Sequence, residues 1–93
     1  MGNVQRVHFF FFGTVQGVGF RFTALNAAKR SGVSGFVRNL PDGSVEAVCE
    51  GTGNQIDAFL GEVTRDMSGY ISDYKAREEA VHGKLLEGFR ITH

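Results

Sequence analysis

Several things are scarce in this chain. It has no tryptophan, one proline and one cysteine, and its 10 basic and 10 acidic side chains leave a formal net charge of +0. The single cysteine, Cys49, cannot close an internal disulfide, which suits a reducing, cytoplasmic setting. It reads as a small buried apolar residue rather than as a nucleophile. Balanced charge removes the broad field that draws proteins onto nucleic acid or anionic membranes, so neither partner is expected and any anion site has to be local. Long apolar runs are missing too. The segment VHFFFF is too short for a membrane span or a signal peptide, no small-residue cleavage site follows it, and cutting there would remove the first strand.

What is present describes an ordinary globular chain. Its 93 residues are 42% hydrophobic and 22% charged, enough apolar surface for one core and too little for two, so residues 1–93 are expected to form a single, soluble domain. From Val4 to Phe12 the sequence is apolar and aromatic and ends at Gly13, as a strand would. Alternation separates Val7, Phe9 and Phe11 from His8, Phe10 and Phe12. The first set is expected to face the core, because Val15 continues its parity and the second set contains a histidine. Phe10 and Phe12 then lie on the other face, where a partner or the C-terminal tail would have to cover them.

Ala24, Ala27 and Ala28 recur at helical spacing between Phe20 and Ser31, with Gly32 as the stop. The stretch SGFVRNLPDGSVEAVCEG holds two β-rich runs around LPDGS and reads as a hairpin. Ile56, Phe59, Leu60, Val63 and Met67 fall on one face of a second helix, opened by a capping box of Thr52 with Gln55 and closed by Ser68 and Gly69. A charged edge strand in GYISDYKAREEAV and a short strand in GFRIT complete the chain. The order β-α-β-β-α-β plus a tail predicts an α+β, ferredoxin-like sandwich: an antiparallel sheet with two helices on one face.

The stretch GTVQGVGFRFT, from Gly13, is where chemistry enters. Glycines at 13, 17 and 19 permit turns that aim successive N–H groups into one concavity, and the loop feeds a helix whose first N–H groups are unpaired. Arg21 adds a planar fork matched to phosphate or carboxylate oxygens. The plainer alternative is a glycine-rich connection with an arginine on a solvated first turn. An arginine there is unfavourable beside the helix dipole, so a bound anion or a nearby carboxylate should compensate it. A dinucleotide site is excluded, because GVGFRF lacks the third glycine and the chain has no room for the paired halves of that fold.

The string VQGVGFR, followed by GFVRNLPDGSVE, resembles the acylphosphatase family, whose pattern is close to G-x-V-Q-G-V-x-F-R, then G-W/Y/F-V-x-N and D/G-G-x-V-E. The resemblance is tight from Gly13 to Glu46, and the element order carries it over nearly the whole chain. It implies metal-independent hydrolysis of the carboxyl–phosphate bond of a small acyl phosphate, without cofactor; separately from the resemblance, the protein is expected to be cytoplasmic and a monomer. The family's phosphate-binding arginine falls on Arg21 and its water-orienting asparagine on Asn39. Backbone N–H groups of Gln16, Gly17, Val18, Gly19 and Phe20 would form the cradle around the phosphate. Taken alone, Asn39 beside a proline-containing turn reads as a turn former, and only the family spacing reverses that. Thr14 stands where many members carry arginine, RITH differs from the commoner ending, and the usual glycine-proline before the fourth strand is absent.

The remaining polar residues suggest less. Arg38 and Arg77 read as solvated, His8, His82 and His93 are too scattered for a metal cluster, and Glu46 and Glu50 lie on a strand face with no paired site evident. Two other functions compete. One is a non-catalytic anion-binding module, or a detached relative of the acylphosphatase-like domain of larger carbamoyl-transfer maturation proteins. The other is an RNA-binding sheet with the same element order, which the neutral charge disfavours.

Overall fold

Alternation in the first strand sets the architecture. In the computed structural model, which describes residues 3–93, strand β1 (Gln5–Gly13) buries Val7, Phe9 and Phe11 to 5%, 3% and 0% exposure, the parity expected from sequence. Helix α1 (Phe20–Ser31), strands β2 (Ser34–Asn39) and β3 (Val45–Gly51), helix α2 (Gly53–Asp66), and strands β4 (Ile71–Glu79) and β5 (Phe89–Ile91) follow. The sheet order is β4-β1-β3-β2-β5. β1 pairs antiparallel with both β3 and β4, and β2 with β3, which is the ferredoxin-like sandwich. β5 adds a parallel edge beside β2.

Both helices cover the Phe9 face. The small α1 residues Ala24, Ala27 and Ala28 allow close approach, and they share one core with Phe59 and Val63 of α2 and with Val37, Ala47 and Cys49 of the sheet. Cys49 is fully buried, and burial pushes its thiol far up, so the thiolate a nucleophile requires is suppressed. The capping box of α2 forms as expected: the Gln55 N–H donates to Thr52 Oγ1 at 3.2 Å and the Thr52 N–H to Gln55 Oε1 at 2.9 Å. The far end differs by a residue or two. The last helical residue is Asp66, and Met67 itself caps the helix through its N–H to the Val63 carbonyl, while Ser68 and Gly69 lie in the turn beyond.

The face opposite the helices is less open than its charges suggest. Glu46 and Glu50 are buried there at 6% and 3% exposure, and each is ion-paired. Arg6 binds Glu50 and reaches Glu79 at 3.1 Å. His8 bridges Glu46 and Glu79, and Arg38 Nε donates to Glu46 at 2.8 Å. Hydrogen bonds from His8 and Arg6 hold the Glu79 carboxyl below the usual carboxylate range. β4 and β5 are opposite edges of the sheet, so residues 80–88 cross this face, and the Leu86 N–H donates to Glu50 Oε1 at 2.6 Å. Phe10 and Phe12 are half-buried at the other end, with the Lys75 ammonium 5.9 Å from the Phe12 ring centroid.

Candidate active site

Gly19 shapes the site from the backbone upward. It is the N-cap of α1 with φ 79°, and Gly17 has φ 77°, both in the left-handed region that side chains with a Cβ avoid. The chain between β1 and α1 thereby folds back on itself as it enters the helix. The first N–H in α1 with a backbone acceptor is that of Thr23, which donates to the Gly19 carbonyl at 3.1 Å. Among the described residues, no protein acceptor takes the N–H groups of Gly17, Val18, Gly19 or Phe20. A row of unclaimed donors at a helix N-terminus carries partial positive charge.

Arg21 lies in the first helical turn, half-buried, with no acidic residue in that turn. Arg6, Arg30, Arg38 and Arg65 each pair with a carboxylate, whereas among the described residues Arg21, like the strand residues Arg77 and Arg90, has no ion pair and no hydrogen-bonded side chain. Of the two compensations expected from sequence, a carboxylate or an anion, the fold supplies no carboxylate.

Asn39 approaches from the sheet. It is the last residue of β2, paired in register with Val45 of β3, and with Arg21 it lines a hollow of about 140 Å³ whose other walls are Val15, Gly17, Gly19, Phe20 and Phe22. Its Oδ1 is buried without a hydrogen-bond partner. A buried carbonyl oxygen normally finds a donor, and one left without is associated with function or with a bound water. The sequence-expected residues Arg21, Asn39, Gly17, Gly19 and Phe20 thus line one cavity. Gln16 and Val18 flank the loop outside that lining.

The side chain of Gln16 has a different task, which the sequence reading missed. Its Nε2 donates to the carbonyls of Leu40 at 2.8 Å and Ser44 at 2.9 Å, tying the glycine loop to the β2–β3 turn. That turn is itself fixed: the Leu40 N–H donates to the Ser44 carbonyl at 2.9 Å, and Asp42 Oδ1 accepts from the hydroxyl and the N–H of Ser44. These bonds hold the Asp42 carboxyl below its usual range, the Ser44 hydroxyl contributing most. The one sequence-level signal was a polar amide inside an otherwise apolar and glycine-rich loop; its partners lie more than twenty residues away. Phe22, also absent from the sequence-derived set, lines the hollow while mostly exposed.

A cavity that joins unclaimed N–H donors, an unpaired guanidinium and one orphaned amide oxygen is suited to a small tetrahedral anion with a water beside it. The chain as a whole is similar to known proteins. The Acylphosphatase family model matches residues 7–91. An acylphosphatase of Thermococcus kodakarensis is 52% identical over 87 residues, covering 92% of this chain and 93% of that protein. The crystal structure of acylphosphatase from Bacillus subtilis superposes with a TM-score of 0.84 at 27% identity, covering 96% of this chain and 99% of that one. T. kodakarensis HypF also contains the fold, with a TM-score of 0.82 and 27% identity, but the match spans only 12% of that longer chain.

Proposed function

The chain belongs to the acylphosphatase family and hydrolyses the carboxyl–phosphate bond of acyl phosphates, and from that premise we propose that Arg21 and Asn39 are its catalytic residues. Relatives that carry the enzyme's name over nearly their full length favour hydrolysis over a non-catalytic anion-binding module. The N–H groups of Gln16, Gly17, Val18, Gly19 and Phe20, with the Arg21 fork, hold the phosphoryl oxygens. Asn39 Oδ1 accepts a hydrogen bond from the attacking water and aims its oxygen at phosphorus, opposite the acyl oxygen. The water oxygen bonds to phosphorus, the bond from phosphorus to the acyl oxygen breaks, and the carboxylate leaves with the electron pair. Of the water's two protons, one stays on the oxygen that has become part of the phosphate and the other passes to a second phosphate oxygen or to solvent.

Phosphoryl transfer needs positioning and charge stabilisation more than acid–base chemistry, and a carboxylate is a good leaving group. The observation that carries this reading is the buried, unpartnered Oδ1 of Asn39 in the same hollow as the unpaired Arg21. With a balanced net charge and a lone cysteine, the protein is read as cytoplasmic and as acting on a small molecule away from nucleic acid and membrane; it is further read as a monomer without cofactor. Steady-state hydrolysis of benzoyl phosphate tests the residue roles. Asn39→Ala should lower kcat by about 10²- to 10³-fold. Arg21→Lys should nearly abolish turnover, because a point charge cannot replace the fork. Turnover of the lysine variant within severalfold of the parent would overturn the role of Arg21.

A further inference from the structure

Phe22 follows Arg21 directly and lines the same hollow, yet it is 67% exposed, whereas the other exposed large apolar residues, Val4, Tyr70, Tyr74 and Leu85, lie between 42% and 44%. We propose that the Phe22 ring is the wall against which the acyl group rests, and that it selects acyl phosphates whose acyl group is aromatic or otherwise apolar. The proposal rests on the reading of the hollow as the phosphate end of the site.

Size separates the two ends of the substrate. Pockets that engulf a whole organic ligand run to about 300–1,000 Å³. The hollow measures about 140 Å³, suited to a phosphoryl group with one water, so the acyl group lies outside across the rim. The other lining residues offer it little apolar surface. Val15 and Phe20 are 1% and 2% exposed and belong to the core, Gly17 and Gly19 have no side chain, and Arg21 and Asn39 are polar. A Cβ added at Gly17 or Gly19 would meet nothing within 4 Å, so that side of the rim is open as well. Among the described residues that line the hollow, Phe22 is therefore the one exposed apolar side chain. Its ring can stack on, or meet edge to face, a flat acyl group, and it offers a small one such as acetyl little surface.

The experiment compares kcat/KM for benzoyl phosphate and acetyl phosphate, with the Ki of inorganic phosphate as a reference for the phosphate end. The wild type should prefer benzoyl phosphate. Phe22→Ser should lower the benzoyl-to-acetyl ratio by about 2- to 10-fold, chiefly through the KM for benzoyl phosphate. Phe22→Tyr should keep the ratio, and Phe22→Leu should fall between. Circular dichroism checks that the variants fold. A ratio unchanged in Phe22→Ser, or a parallel fall for both substrates, overturns the proposal. Phosphate inhibition that survives Arg21→Ala would instead sink the assignment of the phosphate end, so the two failures are distinct.

Discussion

An arginine in the first turn of a helix, with no carboxylate to meet it, opposes the helix dipole. Such a placement costs about 0.3 to 1 kcal/mol, and no carboxylate among the described residues offsets it. Arg21 is in that position, and the orphaned Asn39 Oδ1 is a second local cost at the same hollow. Both are expected where binding a ligand, rather than folding, selects the residue. Arg21→Ala should therefore stabilise the phosphate-free protein by about 0.3 to 1 kcal/mol while removing activity. Urea denaturation in a buffer without phosphate or sulfate measures this. A midpoint below that of the wild type would mean that Arg21 supports the fold through a contact the dipole argument leaves out.

At the scale of elements, the proposed mechanism depends on bringing two separate pieces of chain together: the loop before α1 and the end of β2. Gln16 is the fastener. Its two hydrogen bonds to the β2–β3 turn hold the loop beside Asn39, but the turn does not need them to form. The Leu40 carbonyl also accepts from the Gly43 N–H at 3.1 Å, and the Ser44 carbonyl from the Leu40 N–H at 2.9 Å. After Gln16→Ala each carbonyl keeps one bond, so the loss of both Gln16 bonds should cost no more than an ordinary single hydrogen bond, about 1 kcal/mol. Activity should suffer more. Misplacing a positioning group by an ångström can cost about 100-fold, and kcat/KM should fall toward that limit. Kinetics well below the melting temperature, set beside the Tm, separates the two effects; full activity in a merely less stable variant would show that the loop holds its shape unaided.

At the scale of the whole molecule, the sequence disclosed whatever short-range patterning controls. Val7, Phe9 and Phe11 declared the buried face of β1 by alternation, and Thr52 with Gln55 marked the start of α2 within four residues. Contacts between distant segments left no such mark. The Gln16 bonds, the crossing of residues 80–88 to Glu50 and the parallel pairing of β5 with β2 each join residues far apart in the chain, and single-sequence periodicity contains no term for them. Glu46 and Glu50 showed no paired site in the sequence for the same reason: their cations, on β1 and β2, and the covering segment are visible only once the sheet is assembled. The motif residues that line the hollow were legible in the sequence, and the exposure of Phe22 was not.

The assembled site has one further consequence, which does not require turnover. A ligand that binds only the native state stabilises it by RT ln(1 + [L]/Kd). Inorganic phosphate at ten times its Kd should therefore add about 1.4 kcal/mol. For a chain of this size that is a rise in Tm of about 6 to 11 °C. Arg21→Ala should lose the shift, because the fork grips the anion. Asn39→Ala should keep it, because in the proposed mechanism that amide positions water and leaves the phosphate to the loop. Thermal melts across a phosphate titration, with chloride at matched ionic strength as control, make the comparison. An equal loss in both variants would place Asn39 on the anion and remove the division of labour between helix and sheet, whereas a shift kept by both would move the anion away from the hollow.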